Sequence, residues 1–129
     1  MTRWVWLDAR DALTLHERLL ASHGGAEGVR DAGLLESAIA RPRQRAAYGG
    51  DPDVNDLAAA YTAGIVGNHP FVDGNKRVGF VLGVLFLELN GARFTASEEA
   101  ATRAVLDLAA GDMDMAGYAV FLRENSVPG

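Results

Sequence analysis

The run VNDLAAAYTAGIVGNHPFVDGNKRVGFVLGVLFLELNG, residues 54–91, decides the architecture of this chain. Two apolar segments flank nine residues, His69-Pro70-Phe71-Val72-Asp73-Gly74-Asn75-Lys76-Arg77. In the first segment Leu57, Ala60, Tyr61, Ile65 and Val66 recur at helical spacing, which predicts a helix from about Val54 to Gly67. Pro70 disfavours the α region for His69, so that helix should end there. The second segment starts near Asn75, carries Phe80, Val81, Val84, Leu85 and Leu87, and has a good C-terminal stop in Asn90-Gly91. Its apolar stretch, Val78 to Leu89, is too short for ~30 Å of hydrocarbon, which takes about 20 residues. It reads as a helix buried on most sides.

Working outward, glycine clusters and caps mark further helices. Asp8 is a plausible N-cap with Asp11 in the first turn, and Leu15, Leu19 and Leu20 follow until Gly24-Gly25. Asp31 caps a second helix whose stripe of Leu34, Leu35, Ala38 and Ile39 should end near Pro42. From Arg41 to Pro52 the chain is basic, then Gly-rich, and reads as a loop or small hairpin containing Tyr48. Thr95-Ala96-Ser97-Glu98 matches a capping box, so a fifth helix should run to Ala110, before Gly111. A sixth, from about Met115 to Glu124, should place Phe121 and Leu122 inward. Trp4 to Leu7 is either a short strand or an arm docked on the core. The expected fold is all-α: one domain over residues 1–129, about six helices, with at most a small β-hairpin.

Composition narrows the function. The chain has 129 residues with 49% hydrophobic and 22% charged, which excludes disorder and collagen-like repeats. It has no cysteine, so disulfides, thiolate metal sites and cysteine nucleophiles are out, in keeping with a reducing cytoplasm. A net charge of −5 is the wrong sign for binding nucleic acid through a basic face. The N-terminal stretch turns charged at Asp8 before a signal-peptide apolar region forms, and with no membrane span the expected location is cytoplasmic. The basic residues are eleven arginines and one lysine, Lys76.

That lysine sits inside the nine-residue connection, where each residue type suits a phosphate. Gly74 can take positive φ and let backbone approach a ligand. Asn75, Lys76 and Arg77 would open the next helix, whose free N–H groups and positive dipole end form an anion site. Lys76 adds a point charge and Arg77 a bidentate fork. Asp73 supplies a hard oxygen suited to the Mg²⁺ that accompanies a nucleotide. Histidine is the side chain that exchanges protons near neutral pH, and His69 is the one present here. Taken singly, each residue also fits an ordinary solvated turn between helices.

Together they form a pattern that resembles the signature of the Fic/Doc (Fido) superfamily, His-Pro-Phe-x-Asp/Glu-Gly-Asn-Gly/Lys-Arg, matched at every fixed position. Lys76, where most Fic proteins have glycine, is similar to the Doc branch, the "death on curing" toxins of toxin–antitoxin pairs. Gly28-Val29-Arg30-Asp31 followed by Gly33-Leu34-Leu35-Glu36-Ser37-Ala38 also resembles the Doc-type N-terminal region. The resemblance implies that His69 is the catalytic base for a target hydroxyl and Asp73 holds Mg²⁺ bound to ATP. It implies that Gly74, Asn75, Lys76 and Arg77 surround the phosphates, and that Pro70 and Phe71 are structural, Phe71 pointing into the core. It further implies γ-phosphate transfer to a threonine or serine of a translation factor, elongation factor Tu in the known target class. Pro70 and Gly74 make the loop more Fic-like than phage-type Doc motifs, and AMP transfer is the alternative reaction. A catalytically idle antitoxin-binding module and a metal-dependent nuclease built on His69 and Asp73 are more distant readings.

Many Fic proteins carry an inhibitory helix of the form Ser/Thr-x-x-x-Glu-Gly/Asn. The nearest string here, Thr95 to Glu99, is followed by Ala100. The resemblance therefore implies a separate restraint, a small Phd-like antitoxin with a disordered inhibitory tail, and neither nucleic acid nor membrane as direct partner. Arg41, Arg43 and Arg45 form the one basic cluster, either a solvated loop or the flap with which Fido proteins align a target segment. His16 reads as a surface or partly buried histidine rather than a ligand, His23 as a partner of the helix dipole, and Met113 and Met115 as core filler. Asn68 could orient the loop from beside His69.

Overall fold

A computed structural model describes residues 3–129; Met1 and Thr2, at the start of the N-terminal stretch read above, lie outside it. Six helices follow in order: α1 (Ala9–His23), α2 (Ala32–Tyr48), α3 (Val54–Asn68), α4 (Asn75–Leu89), α5 (Glu98–Ala110) and α6 (Met115–Glu124). Two three-residue strands, β1 (Ala92–Phe94) and β2 (Ser126–Pro128), pair antiparallel with Arg93 opposite Val127. The all-α expectation holds. The small strand pair joins the α4–α5 connection to the chain end and is not a flap over 41–52. Among the described residues no helix is long and apolar enough to cross a membrane.

The helix starts obey local chemistry. Asp8 and Asp11 form a reciprocal capping box on α1, and Asp53 with Asp56 does the same on α3. Ser97, and not the Thr95 of the expected capping box, caps α5, through the N–H of Ala100. Thr95 instead donates its hydroxyl to the Asn125 carbonyl, closing the end of the strand pair. His23 reaches the Leu19 carbonyl from the last turn of α1, the dipole-partner position. Met113 and Met115 pack half-buried against the core, as expected.

The helix buried all round is α3 rather than α4. Asn55, Leu57 to Thr62 and Gly64 to Val66 are all buried, whereas Phe80, Val81, Val84 and Leu85 of α4 are half-exposed. The reason is size. Ala58, Ala59, Ala60 and Gly64 present almost no side chain, so α2, α4, α5 and α6 close around the α3 backbone. On α4, Gly79 and Gly83 face α3, and the Thr62 hydroxyl donates to the Gly79 carbonyl at 2.7 Å. A Cβ at Gly83 would collide with that hydroxyl and sit 3.1 Å from the Ala58 carbonyl oxygen. Gly83→Ala should therefore cost about 1–3 kcal/mol of stability, an overpacking penalty that exceeds alanine's helix-propensity gain. Chemical denaturation measures it, and an unchanged midpoint would mean the helices have room to part.

The expectation of a loop from Arg41 to Pro52 is corrected. α2 continues through Pro42 to Tyr48. Proline removes one N–H, which leaves the Ala38 carbonyl without its intrahelical donor. That carbonyl faces Gly64 of α3, at a spot where a Cβ would stand 3.1 Å from it. Pro42 is itself fully buried, so packing against the core outweighs the local break.

The N-terminal segment is an arm and not a strand. Leu7 is buried and its N–H and C=O both bond to the Tyr61 hydroxyl at 2.9 Å. Trp4 and Trp6 tilt onto Phe86, and Asn90 binds both polar groups of the Val5 backbone. Arg123 of α6 bridges Asp53 and Asp56 at the start of α3. Burial works to raise the Asp53 carboxyl, but Arg123 and the Asp56 N–H prevail and hold it at about 2, against 3.8 unperturbed. Its contribution is full above about pH 4 and is lost as pH falls to about 2. The pair is nearly half exposed, so that contribution is small.

Candidate functional site

The nine residues between α3 and α4 form one compact turn. α3 ends at Asn68, and His69 takes left-handed backbone angles, φ 49° and ψ 54°. It is the one non-glycine residue with positive φ among the described residues. Such a conformation costs about 1–3 kcal/mol and persists only where its surroundings over-determine it. Pro70 removes the right-handed option for His69, and the His69 N–H closes the helix on the Ile65 carbonyl. The imidazole is left exposed at the rim of a cleft of about 360 Å³ lined by His69, Val72, Asp73, Gly74, Asn75, Lys76 and Arg77.

Gly74 caps α4 with φ 81° and supplies no side chain to the first-turn N–H groups. Those donors, the positive helix end and the exposed side chains of Lys76 and Arg77 share the cleft. Neither cation is ion-paired among the described residues, where Arg123 makes the salt bridges. Asn75 is different. Its side chain is buried, with Oδ1 accepting from the Phe71 N–H and Nδ2 donating to the Phe71 carbonyl, each at 3.0 Å. Nδ2 also lies 3.5 Å from His69 Nδ1. The side chain of Asn75 thus locks the turn, and its backbone N–H is the group left for a phosphate. Phe71 is 1% exposed and points into the core, where it anchors the loop.

Asp73 is exposed and held from two sides. Oδ2 accepts from the Ala26 N–H and Oδ1 from the Gly74 N–H. These backbone donors, with lesser contributions from Arg77 and His16, hold its carboxyl below the usual range, so it is anionic at any physiological pH. Each oxygen keeps one free acceptor position, enough for a hard cation shared with phosphate oxygens and water. Among the described residues no cluster of three His, Asp or Glu side chains offers a complete metal cage, so such a cation would depend on a bound phosphate.

Sequence reasoning missed what lies under and behind this turn. His16, read as a surface or partly buried residue, is buried more deeply than that: it is 4% exposed and stacks on Phe71 with 4.1 Å between ring centroids. Its Nε2 donates to the Asp73 carbonyl at 2.9 Å, since a carbonyl can only accept. The α1–α2 connection then runs along the turn. Val72 N–H bonds to Gly28 O, and the N–H groups of Arg30 and Asp31 both bond to Pro70 O. The Arg30 guanidinium donates to the carbonyls of Asn68 and His69 at 2.9 and 2.7 Å. Asn68 ties the same point to α2 through the Leu34 carbonyl. The signal for this strap was the string Gly24-Gly25 and Gly28, whose positive φ values allow the close approach.

The three arginines read as a solvated loop or a target-aligning flap are in neither, and none of them lines this cleft. Arg41, Arg43 and Arg45 lie in the second half of α2, and Arg43 stacks over Trp6 at 5.3 Å. At 1.5 Å per residue, Arg45 stands about 16 Å further along the helix than Leu34, which touches the turn.

The sequence profile of the Fic/DOC family matches residues 6–87, a span that includes the whole turn and the strap behind it. The Toxin Doc of Mycolicibacterium smegmatis is 42% identical over 93 residues, covering 70% of this chain and 68% of that protein. The Protein kinase doc of Escherichia phage P1 is 31% identical over 117 residues, 91% of this chain and 92% of its own.

Proposed function

The chain belongs to the Fic/DOC family, and from that membership and the geometry of its turn we propose that it is a Doc-type toxin that phosphorylates a protein hydroxyl. The observation that carries the reading is one cleft holding an exposed histidine, an anionic carboxylate, an uncapped helix start and two free cations. The target hydroxyl oxygen would attack the γ-phosphorus of ATP while the bond to the β–γ bridging oxygen breaks. The hydroxyl proton passes to the His69 imidazole, and ADP leaves. Backbone N–H groups of Asn75, Lys76 and Arg77, with the two side-chain cations, bind the phosphate oxygens. Asp73 would hold Mg²⁺ on the nucleotide, which supplies charge neutralisation there.

The lysine favours this reaction over AMP transfer. With glycine at position 76 an α-phosphate could nest on bare backbone, whereas Lys76 fills that approach and moves positive charge outward. A relative named a protein kinase supports the same direction. The substrate we propose is a threonine or serine of a translation factor, elongation factor Tu being the leading candidate. The restraint we propose is a small antitoxin with a disordered tail, located with the toxin in the cytoplasm. Arg41, Arg43 and Arg45 lie on α2 and not in a flap, so this reading does not draw on them. Induced expression should arrest growth and protein synthesis in a bacterial host, and His69→Ala should not. Equal growth of the two strains would favour an idle binding module.

The strap gives this reading a second handle. A Cβ at Gly25 would lie 2.8 Å from Asp73 Oδ2, and φ there is +116°. Gly25→Ala must move Asp73 or its own backbone. The Mg²⁺ concentration for half-maximal transfer should rise about 10–100-fold, the usual effect of disturbing a group that orients a ligand. Titration of transfer against Mg²⁺ measures it; an unchanged curve would mean that the strap backbone and not Asp73 gives way, and an unchanged curve in Asp73→Ala would take Asp73 out of that role.

A further inference from the structure

We propose that Arg30 is a positioning residue that holds His69 in the backbone conformation its chemistry requires. The proposal rests on the reading of His69 as the proton acceptor. Arg30 binds three consecutive carbonyls: its Nη2 donates to Asn68 O, its Nε to His69 O, and its backbone N–H to Pro70 O at 2.7 Å. The first two carbonyls belong to the peptide planes on either side of the His69 Cα. Fixing both planes fixes φ and ψ of His69, and with them the direction of its Cα–Cβ bond. This is the position at which the backbone is strained, φ 49° on a β-carbon-bearing residue. Asn75 lies near the ring, but at 3.5 Å its amide bond to His69 is weak, so the imidazole is aimed mainly through the backbone.

The chemistry requires arginine. The planar fork presents Nε and Nη2 to two acceptors at once, and its charge complements the C-terminal end of α3. A lysine keeps the charge but is a single point donor and cannot hold both planes. Arg30 is not among the residues lining the cleft, so in this proposal it acts on the chemistry through the backbone around His69.

The test uses Arg30→Met and Arg30→Lys in the full chain, with Arg43→Met as a control arginine on α2. For both Arg30 variants kcat should fall about tenfold or more, the order expected when a reacting group is misplaced. The dissociation constant of magnesium with a non-hydrolysable ATP analogue should stay within about threefold, because the phosphate groups are untouched. Independently of activity, the ¹³Cα shift and the HN–Hα coupling of His69 should leave their positive-φ values in both variants and keep them in Arg43→Met. Unaltered His69 signals in Arg30→Met, or full kcat in Arg30→Lys, would overturn the proposal. Nucleotide affinity falling in step with kcat would also overturn it and make Arg30 a general structural residue. If Arg30→Met does not fold, Arg30→Lys carries the same readouts. If the wild type transfers nothing, the kinase reading fails while the NMR signals still decide the role of Arg30.

Discussion

His69→Ala should lower phosphate transfer by about 10²–10⁴-fold, the range for removing a general base, while the melting midpoint does not fall. The second half of that expectation follows from the structure. The imidazole is exposed, and its one polar contact among the described residues is the weak approach of Asn75 at 3.5 Å. Truncation also leaves the strained backbone unchanged, because Arg30 and the Ile65 carbonyl hold main-chain atoms and not the ring. Nucleotide affinity should be kept, since the phosphate donors belong to α4. Single-turnover transfer at saturating nucleotide, beside a thermal melt, measures both. Transfer near the wild-type rate would remove His69 from the chemistry.

Arg77→Ala should be comparably severe but should fail differently. Its guanidinium is exposed, forms no salt bridge among the described residues, and sits at an uncapped helix start beside Lys76. Removing one preorganised donor from a developing charge typically costs about 10²–10³-fold in rate. Because in the proposed reading the same fork would also grip the ground-state phosphate, nucleotide binding should weaken as well. Circular dichroism should be unchanged, since Val78 and Gly79, not Arg77, face the core. Lost helicity would make Arg77 structural. A split in which His69→Ala keeps affinity and Arg77→Ala loses it would separate the proton acceptor from the phosphate clamp.

How much of this was legible in the sequence depended on range. The Asp8 cap of α1, the stop at Pro70 and the positive-φ hinge at Gly74 are decided within four residues, and each is where the residue types place it; the Asp53–Asp56 cap of α3 is equally local but was not read from the sequence. Pro42 misled because its local effect is real: the carbonyl it orphans exists, but Gly64 of another helix lies against it. The all-round burial of α3 was hidden by its own alanines, which look too small to define a core yet allow four helices to approach.

The site divides along the same line. The motif placed His69, Asp73, Gly74, Lys76 and Arg77 around one cleft because they are neighbours in sequence. It gave no access to the division of labour at Asn75, whose side chain turns inward to Phe71 and leaves only its N–H outside. Nor could spacing reveal His16 or Arg30, which reach the turn from 57 and 39 residues away. Fold-level packing recruits both, and both act on main-chain carbonyls, for which no side-chain pattern exists.

In the proposed reading the choice of reaction turns on Lys76, and the position of the transferred label tests that choice most directly. The protein, incubated with purified elongation factor Tu or a bacterial extract and Mg²⁺, should transfer label to protein from γ-labelled ATP and none from α-labelled ATP. Label arriving from the α position alone would show AMP transfer and contradict the account.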